Sequence, residues 1–485
     1  MNTAWQCHKQ NKMKKKLCII GCGTFGSFLT RRLLEEHGDR FSITVVEIGN
    51  SKIQNESQIG LHSISERSSV SKDGRYFGLG GTSARWGGQV LFFDERDNPS
   101  GDPTWTEIVR INQRHKATVL KKLLGSDEHI DLREDEGNVK TGVWLKYAKR
   151  NMFGRLGKHD LKKINLLTDQ RVTDFKMEGN RVTEVTCRSL DGKETRLVAD
   201  RFYLTAGALE SCRLLLAWNE KTGLLNGTDL GRHFGDHIST ELFTVHGAKP
   251  IMGGTDFTPH LHKGSLITRR LVVRTEDGAV GFVHTVFNKD IKAFKFLKEL
   301  MFGKRSTSVT LTEFFGGIVF LFKFSFHLLF KNKLYVDTGQ WSVQLDMEQP
   351  VPNRNRLSLA DRKDRYGEAA LRIDWQVSQA DLDAIAQVRS QVELLLRESG
   401  LHFKALYDPA TAGNKVEDVY HPVGCLRAGT DPAAVVGFDG LVNGTENLYH
   451  FSTAMFPSAK SINPSAAVMC HIEAHLERFG DEKIL

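Results

Sequence analysis

A chain of 485 residues, 40% hydrophobic and 26% charged, has the composition of a soluble globular protein with two or three cores, which excludes a disordered or fibrous class. Its 66 basic residues exceed 58 acidic ones only modestly, for a formal net charge of +8, and the excess is spread along the chain. That spread argues against nucleic acid as a partner.

The seven cysteines are scattered, and the one close pair, Cys18 and Cys22, brackets an apolar strand and a glycine turn. They read as reduced thiols, with no metal site. The lysine-rich start MNTAWQCHKQNKMKKK runs straight into LCII without the apolar stretch of an export signal, which predicts a cytoplasmic protein.

The first element is a short buried strand, LCII, followed by Gly21, Gly23 and Gly26, a helix with Phe28, Leu29, Leu33 and Leu34, and a second strand ending on Glu47. This is a dinucleotide-binding βαβ pattern. Gly21 allows the tight turn, Gly23 lets backbone amides approach a pyrophosphate, and Gly26 lets the helix pack on the strand. The helix start offers unpaired amides to phosphate, and Glu47 would hold a ribose diol. The unit alone leaves NAD and FAD both open.

YFGLGGTSARWGGQVLFF sets a glycine cluster between apolar stretches. Gly80 and Gly81 with Thr82 and Ser83 would form a nest of amides and hydroxyls, and Trp86 a flat apolar wall. Such a loop suits a bulky planar cofactor. Further on, INLLTDQRVTDFKMEGNRVTEVTCRSLDGKETRLVADRFYLTAG alternates and turns at EGN and LDG, so it reads as a meander feeding a buried strand. Ala206 and Gly207 then open a helix, where small residues let a second backbone come close to a ligand.

From His237 to about residue 410 the glycine motifs vanish, which marks a second domain. NKDIKAFKFLKELMFGKR places lysines opposite an apolar helical face, and FFGGIVFLFKFSFHLLFKNK is almost wholly apolar but carries Lys323, His327 and Lys331 at every fourth position. Charge at its centre argues against a membrane span. A basic, phenylalanine-rich element of this kind fits either a membrane surface or a lid over a site.

Near the end, His421 starts a Pro and Gly turn in VYHPVGC, and its ordinary pKa near 6.5 suits a base. Asn463 is a natural N-cap with Pro464 at the first helical position, before a helix with Val468, Ile472 and Leu476 on one face. As a cap alone, Asn463 would be purely structural.

Taken in order, the first glycine triplet with Glu47, GLGGTSARWGG, LTAGALESCRLLL, LGRHFGDH, YHPVGCLRAGTDP and NLYHFSTAMFPSAKSINPSAAVM resemble the glucose-methanol-choline flavoprotein oxidoreductases. The resemblance covers roughly residues 14–240 and 341–480. It implies an α/β fold: a Rossmann-like FAD-binding domain assembled from discontinuous segments (14–236 and 411–485) and a substrate domain with an antiparallel sheet (237–410, with an insertion at 288–335).

The resemblance also carries roles. Gly81, Thr82, Ser83, Trp86 and Gly87 would run along the flavin, Val172 would touch the adenine, and Ala206 and Gly207 would give the second backbone contact. Ser452, where the family often has an acid, and Pro464 would lie in the flavin environment. His421 would be the base and Asn463 the partner of the alcohol oxygen, and His237 would sit near the cofactor or serve structurally. Arg85 stands where some sugar oxidases bond a histidine to the flavin, so FAD is expected to be non-covalent. Trp86 resembles the sugar-oxidising branches, which favours a sugar or lipid-linked sugar alcohol. The electron acceptor is not specified, and a membrane-peripheral flavoprotein with a vestigial site is the competing expectation.

Overall fold

In the computed structural model the protein is described at residues 14–68, 74–125, 137–247, 249–262, 265–287, 310–331, 339–408 and 416–481. The chain opens with β1 (Lys15–Ile20), α1 (Thr24–His37) and β2 (Phe41–Val46), followed by β3 (Gln89–Val90), α2 (Pro103–Leu124), β4 (Val139–Trp144) and β5 (Ile164–Leu167). The meander is β6 (Arg171–Glu178), β7 (Arg181–Arg188) and β8 (Glu194–Val198), and it leads into β9 (Arg201–Leu204) and α3 (Gly207–Thr222). Then come β10 (His237–His246), β11 (Ser265–Arg274), β12 (Val280–Val286), α4 (Leu311–Lys331) and β13 (Gln340–Glu348). The chain closes with α5 (Gln379–Glu398), β14 (His402–Ala405), β15 (Leu448–His450) and α6 (Ser465–Asp481).

Five strands form a parallel sheet in the order β15-β9-β1-β2-β5. Leu17 to Ile20 of β1 are buried throughout, as a central strand covered on both faces requires. β15 arrives from the far end of the chain, so the two termini share this sheet. A buried ion pair repeats the join: Arg32 on α1 donates to Glu473 on α6 at 2.5 and 3.0 Å. The fold is therefore the expected α/β class, a parallel cofactor-type sheet beside an antiparallel one.

The second sheet runs β14-β10-β13-β12-β11-β4-β3, with two further short strands off this path. It is wider than the segment 237–410 expected to build it, because β3 and β4 come from the N-terminal segment. Conversely, Arg356–Lys363 and Ala369–Asp374, although within the segment 237–410, stand outside this sheet and pair with each other and with Ser63–Ser65. The meander behaves as read, with β6, β7 and β8 in a sheet of their own and left-handed Gly179 and Gly192 at its turns.

The apolar stretch from Phe314 is helical and forms α4, between the hairpin strands β12 and β13, and NKDIKAFKFLKELMFGKR lies outside the described residues. No helix among the described residues is long and apolar enough to cross a membrane.

Candidate active site

A cavity of about 1190 Å³, its open mouth included, lies at the carboxyl ends of β1, β2 and β9. It is lined by Gly21, Gly23 and Thr24, by Glu47, by Gly81, Thr82 and Trp86, by Val172, by Ala206 and Gly207, and by Tyr420, Pro422, Thr453 and Ser465.

Two helices begin on this cavity without any side-chain cap: α1 behind Gly23 and α3 behind Ala206. Their first amides are left for a ligand, as a pyrophosphate site needs. A Cβ on Gly23 or Gly207 would meet nothing within 4 Å, so these glycines border open space, whereas one on Gly26 would sit 1.8 Å from the Gly21 carbonyl oxygen. Gly26 is thus the packing glycine and Gly21, at φ +98°, the turn glycine. The cradle fits a dinucleotide such as FAD.

Glu47 is buried and accepts backbone amides from Cys22 at 2.7 Å, Gly49 at 2.9 Å and Gly78 at 3.0 Å. Burial, only partly offset by these amides, raises its pKa. The carboxylate braces the glycine loops while forming part of the cavity wall.

Several other expected cofactor residues hold the loops instead of lining the space. Ser83 is fully buried, donating to Gly80 O at 2.6 Å and accepting from Met152 N at 2.9 Å. Gly87 makes room for Trp144, whose ring would lie 2.7 Å from an added Cβ. Ser452 is buried, with its hydroxyl 2.8 Å from His450 Nε2 and accepting from Ala454 N. Pro464 is buried next to Ser465, which does line the cavity. Small hydroxyl residues at a turn are bound locally, which sequence alone does not separate from ligand binding.

The arrangement around His421 is a relay. His237 Nε2 lies 2.6 Å from the carbonyl oxygen of Lys460, and its Nδ1 lies 3.1 Å from Nδ1 of His421. A carbonyl can only accept, so His237 carries its proton on Nε2 and accepts at Nδ1. His421 then donates from Nδ1, which leaves Nε2 with its lone pair. Burial, and next the neighbouring His237, push His421 down to about 3, and burial also lowers His237, so both rings are neutral at ordinary pH.

The frame of this relay went unread in the sequence. Buried Asp236 accepts the amides of His237 at 2.7 Å and His421 at 2.8 Å, which sets the two imidazoles side by side. Tyr420 and Lys460 both adopt left-handed backbone, at φ 70° and 48°, a costly conformation that clusters at functional sites. Lys460 Nζ is held by buried Glu348 at 2.9 Å. Asp236 stands inside the quoted LGRHFGDH, where its neighbour drew the attention.

Asn463 does not act as a side-chain cap. Its Oδ1 accepts from Arg270 Nη2 at 2.6 Å, which leaves the amide NH2 as a donor for a ligand. Arg270, on β11, is buried, also donates to Gln89 Oε1, and lies over the Phe282 ring at 3.8 Å. Burial lowers it to about 9, still cationic at neutral pH. Phe282 meets His237 edge-on at 5.4 Å, so contacts run unbroken from His421 through His237, Phe282 and Arg270 to Asn463. Beside them Asp346 stays ionised: burial opposes this, but His284 and the Ser239 hydroxyl hold it well below the usual carboxylate range.

Residues 351–471 match the family model of the GMC oxidoreductases, the family the motifs resemble. A stretch of 158 residues is 27% identical to 6'''-hydroxyparomomycin C oxidase of Streptomyces lividus, covering 32% of this chain and 28% of that protein's length. Among solved structures, pyridoxine 4-oxidase from Mesorbium loti superposes with a TM-score of 0.61 over 97% of this chain and 100% of the other. At 16% identity, this likeness is one of fold.

Proposed function

We propose that this chain, whose C-terminal part carries the GMC oxidoreductase match, is an FAD-dependent oxidoreductase that oxidises the CH–OH group of a small alcohol. FAD would be held non-covalently by the amides behind Gly23 and Ala206, with Glu47, Thr82, Trp86 and Val172 along the cavity wall. When bound, the flavin supplies the hydride acceptor.

The rest of the chemistry falls to side chains. His421 Nε2 takes the hydroxyl proton, and the Asn463 NH2 donates a hydrogen bond to the same oxygen as charge builds on it. His237 and Lys460 O keep that lone pair on Nε2, and Arg270 keeps the Asn463 amide turned with its donor outward. The observation that carries this reading is the Lys460–His237–His421 relay, because it specifies a neutral base of one tautomer at the residue between Tyr420 and Pro422, both of which line the glycine-bordered cavity. A sugar-like alcohol is favoured by the Trp86 wall and by the likeness to 6'''-hydroxyparomomycin C oxidase.

The test is anaerobic. Purified protein should show a flavin spectrum that alcohols bleach, and His421→Ala should slow the bleaching by about 10²- to 10⁴-fold with flavin still bound. Bound flavin that no alcohol reduces, or an unchanged rate in His421→Ala, would overturn the assignment.

A further inference from the structure

Helix α4 is amphipathic the wrong way round for a globular protein. Ile318 (38% exposed), Val319 (55%), Phe322 (76%), Leu329 (76%) and Phe330 (75%) share its outer arc, while Phe320 is buried and Phe324 and His327 are half-buried on the inner one. A row of large apolar side chains this exposed marks a surface that meets something apolar. At about 1.5 Å per residue, Ile318 to Phe330 form a strip about 18 Å long, which a single ligand molecule would not cover.

Charge identifies the partner. Exposed Lys323 lies at the margin of the strip, and residues 288–338, which contain α4, carry nine lysines and arginines against four acids in a chain whose excess is otherwise slight. An apolar, phenylalanine-rich face edged by Lys323, in a segment whose sequence is rich in lysine, matches the interface of a bilayer carrying anionic lipid, with rings among the upper acyl chains and ammonium groups at the phosphates. The same lysine excludes a span, in agreement with the absence of any crossing helix among the described residues.

Position adds a reason. α4 is inserted at the tip of the hairpin β12–β13, whose Phe282, His284 and Asp346 stand around the candidate site. We propose that α4 is a docking helix that lays this face of the protein on an anionic phospholipid surface and so brings the site to alcohols presented at the membrane. The docking itself does not depend on the reading of the active site.

The experiment is co-sedimentation of the full chain with phosphatidylglycerol/phosphatidylcholine vesicles and with phosphatidylcholine alone. Expected are binding to the anionic vesicles, weakening by at least about tenfold on pure phosphatidylcholine or in high salt, and a similar loss in the triple variant Phe322→Ser, Leu329→Ser, Phe330→Ser. These side chains are exposed, so the variant should keep the wild-type melting temperature and flavin content. Failure of the wild type to bind anionic vesicles would overturn the proposal. So would a wild-type dimer that the triple variant turns into a monomer, since the strip would then be covered by a second copy.

Discussion

The carbonyl oxygen of Lys460 lies 2.6 Å from Nε2 of His237, and that contact decides which nitrogen of a different residue, His421, is free to accept a proton. It does so from left-handed backbone, a conformation costing about 1–3 kcal/mol that the surrounding packing must sustain.

His237→Ala should therefore act through His421. We expect kcat to fall by about 10- to 100-fold with KM little changed, and the pH profile of kcat/KM to gain an acid limb as the exposed His421 recovers a more ordinary pKa. Steady-state kinetics from pH 5 to 9 check both, and a profile identical to wild type would remove His237 from the relay.

Arg270 is expected to position Asn463. Arg270→Met should lower kcat by about 10²-fold with flavin retained, and Arg270→Lys should recover only part of the loss, since the shorter ammonium does not reproduce the planar guanidinium whose Nη2 donates to both Gln89 and Asn463. Wild-type turnover in Arg270→Met would show that the Asn463 amide needs no orienting.

Two glycines three residues apart should behave oppositely. Gly23→Val adds a side chain where nothing lies within 4 Å, so the apoprotein should melt as wild type while the ratio of flavin to protein absorbance falls. Gly26→Ala drives a Cβ against the Gly21 carbonyl and should cost the apoprotein about 1–3 kcal/mol. Equal effects from both would deny that Gly23 borders a ligand.

Acid should unfold this protein through its buried histidines. Burial holds His421, His450 and His475 near 3 and His471 near 4, so below about 6.5 the unfolded chain binds protons that the folded one refuses. Stability then rises with pH across this window and is lost as pH falls from 6.5 toward 4, by at most about 1.4 kcal/mol per unit for each histidine. Thermal melts at pH 4.5, 5.5 and 7 test the slope, and a melting temperature independent of pH would contradict it. For the same reason kcat/KM of the wild type should show no ionisation of His421 between pH 5.5 and 8.

The sequence revealed the parts of this architecture that depend on local spacing. The βαβ unit was legible because a buried strand, three glycines and an amphipathic helix must follow one another to build it, and the meander because its alternation and turn glycines are local. β3 was not: two residues, Gln89 and Val90, carry no periodicity, and only tertiary pairing with β4 makes them a strand. Asn463 was noticed as a helix start, but the partner that takes its oxygen, Arg270, comes from another sheet. Asp236, whose carboxylate takes backbone amides, and the Lys460 carbonyl are invisible for a similar reason, since backbone partners leave no mark in the composition. The apolar run from Phe314 was readable as amphipathic, yet which arc faces outward is decided by packing.

The crossing of β3 and β4 into the antiparallel sheet has a mechanical consequence. Gln89 sits a few residues after the glycine loop on the cavity and bonds to Arg270 and Thr268 in the other layer, so cofactor cradle and substrate wall are stitched by continuous chain as well as by side chains. The two layers cannot part like the halves of a shell. Traffic must use a fixed doorway, and selection for a new substrate can rework the hairpin rim and its inserted helix while the floor stays rigid.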